Sequence, residues 1–162
     1  MAYRDLQEFV AALERAGELR RIPAEVDPVL EVAEITDRVS KREGPALLFE
    51  QVKGSSMPLL INAFGSPARM NLALEVKSLD ELAADLQEIL DLKAPEGWLA
   101  KLRMLPKLQE LAGAFPKLVT DAPCKEVIVR DSPSLAGIPV IQCWPQDAGR
   151  YITFPLVFTC LR

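Results

Sequence analysis

The sequence predicts a mixed α+β fold: an N-terminal α/β domain with a small mixed sheet flanked by helices, followed by the start of a second domain. Three observations support this. Several segments repeat apolar residues with helical spacing, and short apolar runs of strand length stand between them. Their order is helix, strand, helix, strand, strand, helices, strand, which is typical of a mixed layout.

The first predicted helix covers about residues 5–16. Asp5 can cap it, and Gly17 is a natural end because glycine enters the left-handed conformation without strain. A short extended segment follows at 18–22 and is expected to close at Pro23. The apolar face of this helix is formed by residues at i, i+3, i+4 and i+7: Leu6, Phe9, Val10 and Leu13.

A second helix is predicted from Asp27-Pro28 to about Arg42, with Asp27 as the cap and Pro28 in the first turn. The apolar run at 46–49 is too short for a helix and predicts a buried strand. After a turn at 53–56, residues 58–62 predict a second strand that pairs with the first. The inner face of the helix is expected to carry Val29, Val32, Thr36 and Val39.

Two further helices are predicted. One begins after Gly65, with Ser66 as its N-cap and Pro67 at its first position. The other begins at the Ser78-x-x-Glu81 capping box. Residues 96–116 predict a broken helix, and 125–130 alternate like a strand. The Pro- and Gly-rich passage that follows predicts a linker. Residues 152–160 predict an apolar strand with no partner close by. We therefore divide the chain into domains at 1–130 and 131–162.

Composition excludes several classes of function. The net charge is −4 and the basic pairs are isolated, which argues against nucleic acid as a partner. No apolar run approaches the roughly 18 residues that span a bilayer, and the N-terminus lacks a signal-peptide layout, so the expected compartment is the cytoplasm. The absence of histidine excludes Ser-His and Cys-His pairs and His-based zinc sites in this chain.

Two groups of residues could carry chemistry on the helices. Glu31, Glu34 and Asp37 lie near one another on the second helix, but away from its apolar face, so a solvated surface is the better interpretation. The helix start at Gly65-Ser66-Pro67 could hold an anion. It lacks the surrounding glycine or lysine pattern of a phosphate loop, and helix capping is favoured.

The remaining candidates lie toward the C-terminus. The three cysteines Cys124, Cys143 and Cys160 lack C-x-x-C spacing and a histidine base, so reduced, buried thiols are favoured over nucleophiles. Trp144 is interpreted as a packing anchor rather than a stacking platform. The loop at 147–150 is interpreted as a hairpin-type turn, with a ligand-contacting loop as the alternative.

Several motifs, each weak alone, occur in an order that resembles the UbiD family of carboxy-lyases over essentially the whole chain. The N-terminal ones are Tyr3–Phe9, Gly17–Ile22, Val26-Asp27-Pro28 and Gly44–Glu50. They continue with Met57-Pro58, Asn62–Arg69, Ala122-Pro123-Cys124, Ile138-Pro139-Val140, and Cys143-Trp144-Pro145 through Tyr151-Ile152-Thr153.

The resemblance implies a reversible, non-oxidative decarboxylase of aromatic or α,β-unsaturated acids. Within this family, the sequence most resembles the 4-hydroxy-3-polyprenylbenzoate decarboxylases of ubiquinone synthesis. Related enzymes serve menaquinone synthesis. The implied cofactor is prenylated FMN, an electron sink, held with Mn²⁺ and often K⁺. A homo-oligomer and peripheral membrane association through a polyprenyl substrate are also implied.

The family's metal ligands, its catalytic arginine and its two catalytic acidic residues are expected beyond Thr159, after the first strand of a split β-barrel flavin domain. The resemblance therefore assigns no catalytic and no metal residue here, and only Thr153 is expected near the flavin. We expect this chain alone to be inactive. Two alternatives stay open: a non-catalytic interaction domain or subunit, and a truncated gene product.

Overall fold

The computed structural model describes residues 3–90 and 126–152. It confirms the mixed α+β class. The chain divides into two compact units, residues 1–82 with 134–162 and residues 83–133. The described helices and strands are, in chain order, α1 Leu6–Arg15, β1 Leu19–Val26, α2 Glu31–Ser40, β2 Ala46–Val52, β3 Leu59–Ile61, α3 Pro67–Leu74 and α4 Leu79–Leu90.

The three described strands form one sheet in the order β1-β2-β3. β1 runs parallel to β2, with Leu19 opposite Ala46, and β2 runs antiparallel to β3. The prediction that the extended segment closes at Pro23 is wrong, because β1 continues to Val26. The register shifts between Ile22 and Glu25, since proline cannot donate to the ladder and the strand passes it through an irregularity.

The core lies on both faces of β2, whose residues from Ala46 to Phe49 are all buried. Alternation along the strand separates two apolar clusters. Leu47 and Phe49 pack with Val32 of α2. Ala46 belongs to a second cluster with two α1 side chains, Phe9 and Leu13.

Capping defines the predicted helix ends in α1, α3 and α4. The Asp5 carboxylate accepts the Glu8 N–H over 2.8 Å at the start of α1, and Gly17 follows its end with φ of +72°. At α4, the Ser78 hydroxyl accepts the Glu81 N–H over 3.1 Å. These local signals are independent of tertiary packing, and the structure confirms them.

The predicted start of α2 is wrong: the helix begins at Glu31, not at Asp27-Pro28. The Asp27 carboxylate accepts the Val29 N–H over 2.9 Å, as a turn does, and the Pro28 carbonyl accepts the Gln142 N–H over 3.0 Å. The Pro28 carbonyl, which would accept a hydrogen bond inside a first helical turn, is therefore bonded to a distant part of the chain. The helix also ends slightly early, at Ser40.

Residues 126–130 form no strand, which corrects the prediction for 125–130; residue 125 lies outside the described residues. The alternating side chains Val127, Ile128 and Val129 are 82%, 63% and 66% exposed. Their apolar alternation has no neighbouring strand among the described residues. The predicted helix at 96–116 and the strand at 152–160, apart from Ile152, also lie outside them. No helix in the described part is long and apolar enough to cross a membrane.

Candidate functional site

The β1–α2 connection, residues 27–30, lies beside the segment around Gln142, which leads toward the predicted flavin domain. Val29 bridges Gln142 in parallel, and Ile141 bridges Tyr151 in antiparallel fashion. The Leu30 N–H donates to the Gln142 carbonyl, and the Gln142 N–H donates to the Pro28 carbonyl, each over 3.0 Å. Three short segments, at residues 27–30, 141–142 and 151, therefore lie side by side, and we refer to them as the junction.

The loop between Ile141 and Tyr151 folds back on itself. The Asp147 carboxylate accepts the N–H groups of Cys143 and Trp144 over 3.2 and 2.9 Å. The Ile141–Tyr151 bridge closes the loop. Its turn lies at residues 144–147, where the Asp147 N–H donates to the Trp144 carbonyl over 3.1 Å, so the turn comes earlier than the 147–150 that the sequence predicted. The Trp144 side chain is 67% exposed, so within the described residues it is not the packing anchor that the sequence indicated.

A groove of about 680 Å³ lies between α2 and the residues that follow the junction. Its walls are mostly apolar. Cys143 is half-buried and is a free thiol, in agreement with the prediction for that cysteine, whereas Cys124 and Cys160 lie outside the described residues. The side chains relevant to the groove's chemistry are Leu30, Glu34, Asp37, Ile141, Cys143 and Trp144.

The three predicted carboxylates lie on the solvated side of α2, as expected. Glu34 pairs with Arg38 and Asp37 with Lys41, both over 2.6 Å and one helical turn apart. The Asp37 carboxylate raises the pKa of Lys41. Glu31 accepts the Asp27 N–H over 2.6 Å. These carboxylates are engaged in local surface contacts, which contribute little to stability and do not form an acid–base pair.

Asp27 is the charged centre of the junction. The hydrogen bond from the Val29 N–H, followed by the ion pair with Lys53 at 3.0 Å, lowers the pKa of its carboxyl. Arg150 adds a weaker attraction from the end of the loop. Asp27 therefore remains ionised and holds the turn that precedes α2.

The start of α3 is a capped helix end, as predicted. The Ser66 hydroxyl accepts the Arg69 N–H over 3.2 Å, and Pro67 occupies the first turn. The sequence did not reveal Arg69, whose side chain is 1% exposed and donates to the Glu18 carboxylate over 2.8 Å. The spacing of Glu18 and Arg69 along the chain carries no periodic signal, so only tertiary structure reveals this pair.

The described residues do not supply a metal site. No group of three carboxylate, thiol or imidazole side chains comes together within them. They therefore do not fit Mn²⁺, and we derive no step through a metal. Thr153 lies outside the described residues, one position beyond Ile152.

Two family models match consecutive stretches of the chain. The 3-octaprenyl-4-hydroxybenzoate carboxy-lyase N-terminal domain matches residues 10–87, and the Rift-related domain of the same carboxy-lyase matches residues 117–161. The chain belongs to the UbiD family. Together the two UbiD matches cover both the sheet with its helices and the junction's second half.

Individual proteins that are similar to this chain are consistent with the UbiD assignment. An uncharacterized protein of Archaeoglobus fulgidus is 46% identical over 159 residues, which is 98% of this chain and 32% of that protein. The evolved dimeric form of the UbiD-class enzyme HmfF from Pelotomaculum thermopropionicum, in complex with prFMN, matches with TM-score 0.66 and 28% identity over 93% of this chain and 30% of its own.

The open form of Sedimentibacter hydroxybenzoicus vanillic acid decarboxylase matches with TM-score 0.68 and 28% identity, again over 93% of this chain and 30% of its own. The chain therefore spans about a third of the length of the UbiD proteins that it matches.

Proposed function

We propose that this chain is the N-terminal region of a prenylated-FMN-dependent, non-oxidative decarboxylase of aromatic or α,β-unsaturated acids. The observation that carries the proposal is the consecutive match of two carboxy-lyase family models to residues 10–87 and 117–161. Similarity to an enzyme solved with prFMN and to a vanillic acid decarboxylase supports the cofactor and the reaction.

The finer assignment is a 4-hydroxy-3-polyprenylbenzoate decarboxylase of ubiquinone or menaquinone synthesis. The description of the matching family models supports this substrate class. A polyprenyl chain on the substrate would bring a cytoplasmic enzyme to the membrane surface. Mn²⁺ and K⁺ would be held by parts of the enzyme outside the described residues.

Within such an enzyme, residues 1–130 would form the N-terminal domain, and 131–162 would lead into the flavin domain. Thr153 would lie near the flavin, while the catalytic and metal-binding groups would come from the remainder of the enzyme. We therefore expect no turnover by the 162-residue chain alone. A homo-oligomeric enzyme is part of the proposal, supported by the dimeric form of HmfF.

Replacement of the matching third of the Archaeoglobus fulgidus relative tests the proposal. In this chimera, residues 2–160 of the present chain precede the relative's own remaining two thirds. Prenylated FMN is titrated into the chimera and into the intact relative, and binding is followed by flavin absorbance. We expect the chimera to bind with a Kd within about tenfold of the relative's value.

The proposal is contradicted if the intact relative binds prenylated FMN and a folded chimera does not. A second experiment distinguishes a separate subunit from a continuous N-terminal region. The 162-residue chain is mixed with the relative's remaining two thirds as separate polypeptides. Flavin binding by the mixture, but not by the covalent chimera, would favour a separately docking subunit over a continuous N-terminal region.

A further inference from the structure

A cavity of about 730 Å³ lies between α1, α3 and the loop that joins β3 to α3. Its volume is within the range of roughly 300–1,000 Å³ that small-molecule sites in proteins have. Its lining residues all belong to one compact unit, and none of them lines the groove beside α2. The side chains that decide its chemistry are Tyr3, Phe9, Phe64, Met70, Ala73 and Leu74.

Three aromatic rings form one wall of this cavity. The Tyr3 and Phe9 ring centroids are 5.1 Å apart at an interplanar angle of 55°, and the Phe9 and Phe64 centroids are 5.9 Å apart at 22°. Phe9 is buried, whereas Phe64 is 48% exposed, so the wall extends from the core to the surface. Leu74 is 45% exposed and lines the same cavity. A ligand that covers this apolar surface removes it from water, which is favourable.

The two side-chain hydrogen-bond donors of the lining are already paired within the fold. The Tyr3 hydroxyl donates to the Leu72 carbonyl over 2.8 Å. The Asn62 amide group donates to the Gly44 and Pro45 carbonyls over 3.3 and 3.1 Å. The described lining carries no charged side chain. A ligand in the cavity therefore meets a hydrocarbon surface and no free side-chain donor.

A charged head group does not fit the same cavity. Arg69 lies close to Gly65, but it is 1% exposed and donates to Glu18, so its guanidinium is closed off from a ligand. A carboxylate placed inside would lose its hydration without gaining a charged partner, which is costly. A neutral hydrocarbon has no such cost and leaves water favourably. The cavity therefore selects a hydrocarbon chain over the carboxylate end of an acid.

We propose that this cavity binds a stretch of the substrate's polyprenyl chain and leaves the aromatic acid outside. The proposal rests on the proposed function, because the matching family model describes an octaprenyl substrate. An isoprenoid fits better than a straight alkyl chain for two reasons. Its double bonds leave fewer rotations to be lost on binding, and its methyl branches add contacts with ring faces such as those of Phe9 and Phe64.

The first test is direct binding to the 162-residue chain, with its methionine methyl groups labelled for NMR. The probe is farnesol, an uncharged isoprenoid alcohol, and the comparison probes are vanillic acid and dodecanol, whose main chain has the same length as that of farnesol. Farnesol should shift the methyl signal of Met70 with a Kd below about 100 µM. Met57 is 51% exposed and does not line the cavity, so its signal should not move. Dodecanol should bind at least about threefold more weakly, and vanillic acid should cause no shift.

The substitutions Leu74→Gln and Leu79→Gln form a matched pair. The two leucines are 45% and 44% exposed and stand at helix ends, but of the two Leu74 alone lines the cavity. Leu74→Gln should weaken farnesol binding by about fivefold, because an amide replaces apolar lining, and Leu79→Gln should stay within about twofold. Amide protection of Phe49 in β2, followed by hydrogen exchange, reports whether the sheet survives in each variant.

The same two substitutions are then made in the chimera, where the rest of the enzyme is present. Isothermal titration calorimetry should give a farnesol Kd within about threefold of that of the 162-residue chain, with the same response to Leu74→Gln. Loss of farnesol binding in the chimera would show that another part of the enzyme covers the cavity, and would overturn the proposal.

Four other results would also overturn it: no Met70 shift in the unmodified chain, a Met70 shift caused by vanillic acid, dodecanol binding as tight as that of farnesol, or equal weakening by the two variants. The Met70 signal of the unmodified chain decides the location even if a variant loses its fold. Farnesol binding requires neither flavin nor turnover. Failure of the chimera to bind prenylated FMN, when the intact relative does, would therefore contradict the proposed function instead.

Discussion

Arg69 donates from Nη1 to Glu18 Oε2 over 2.8 Å, which ties the first turn of α3 to the residue that precedes β1. The arginine is 1% exposed, and its Nε and Nη2 atoms have no hydrogen-bond partner within the described residues. Within the described residues, the Glu18 carboxylate therefore compensates the positive charge of this buried guanidinium. Buried ion pairs of this kind are costly to break from one side.

Removal of the Glu18 carboxylate should destabilise the chain strongly. Glu18→Ala leaves a buried, unpaired guanidinium, and we expect a loss of about 2–3 kcal/mol in the free energy of unfolding, reduced from the fully buried case because Glu18 is partly exposed. Urea denaturation followed by circular dichroism measures it. In an Arg69→Met background, the same Glu18→Ala change should cost less than about 1 kcal/mol; equal costs in both backgrounds would refute the coupling.

Gly65 should not tolerate a side chain. A Cβ there would lie 1.8 Å from Asn62 Oδ1 and 3.2 Å from Arg69 Nη2. Asn62 cannot easily yield, because its amide donates to the Gly44 and Pro45 carbonyls. Gly65→Ala should lower the free energy of unfolding by about 1–3 kcal/mol.

The matched control for that substitution is Gly137→Ala, where a Cβ would meet nothing within 4 Å. We expect this change to stay within about 0.5 kcal/mol. Thermal unfolding of the two variants side by side gives the comparison. Equal midpoints would show that the packing around Gly65 is not as described.

Two leucines on α1 provide a comparison within one helix. Leu13 is fully buried against Phe9 and Ala46, whereas Leu6 is 62% exposed. Leu13→Ala should cost about 2–5 kcal/mol, and Leu6→Ala less than about 1 kcal/mol. Similar losses measured by urea denaturation would contradict the orientation of α1 on the sheet.

Acid should weaken the junction through Asp27. Its pKa is lowered below the ordinary 3.8, first by the Val29 N–H and then by Lys53. A carboxyl with a lower pKa in the folded state stabilises the fold above its unfolded-state pKa, and this contribution is lost as pH falls through the folded-state value. The urea midpoint should therefore fall as pH drops below about 4.

The Asp27→Asn variant isolates this effect. Its amide oxygen can still accept the Val29 N–H, but it carries no charge and does not titrate. We expect a shallower loss of stability between about pH 5 and pH 2 than in the unmodified chain. Parallel curves for the two proteins would assign the acid sensitivity to other carboxyls.

Local signals in the sequence were sufficient where structure is decided locally. Asp5, Ser66 and Ser78 predicted helix starts because a side-chain oxygen satisfies a nearby N–H, and the apolar run beginning at Ala46 predicted the buried strand.

Predictions failed where a distant segment decided the outcome. Asp27-Pro28 is a good helix start by local rules, but Gln142 binds that backbone and delays α2 to Glu31. Val127 to Val129 alternate as a strand does, yet have no strand beside them in the described residues. The pair of Glu18 and Arg69 is separated by 51 residues, beyond any local pattern.

Release of CO₂ by the chimera tests the central claim most directly. The chimera and the intact Archaeoglobus fulgidus relative, each loaded with prenylated FMN and Mn²⁺, are supplied with the same aromatic and α,β-unsaturated acids, vanillic acid included. We predict that the chimera decarboxylates the acids that the relative does, with kcat/KM within about tenfold. Turnover by the relative alone, with the chimera folded and flavin-bound, would contradict our assignment of this chain.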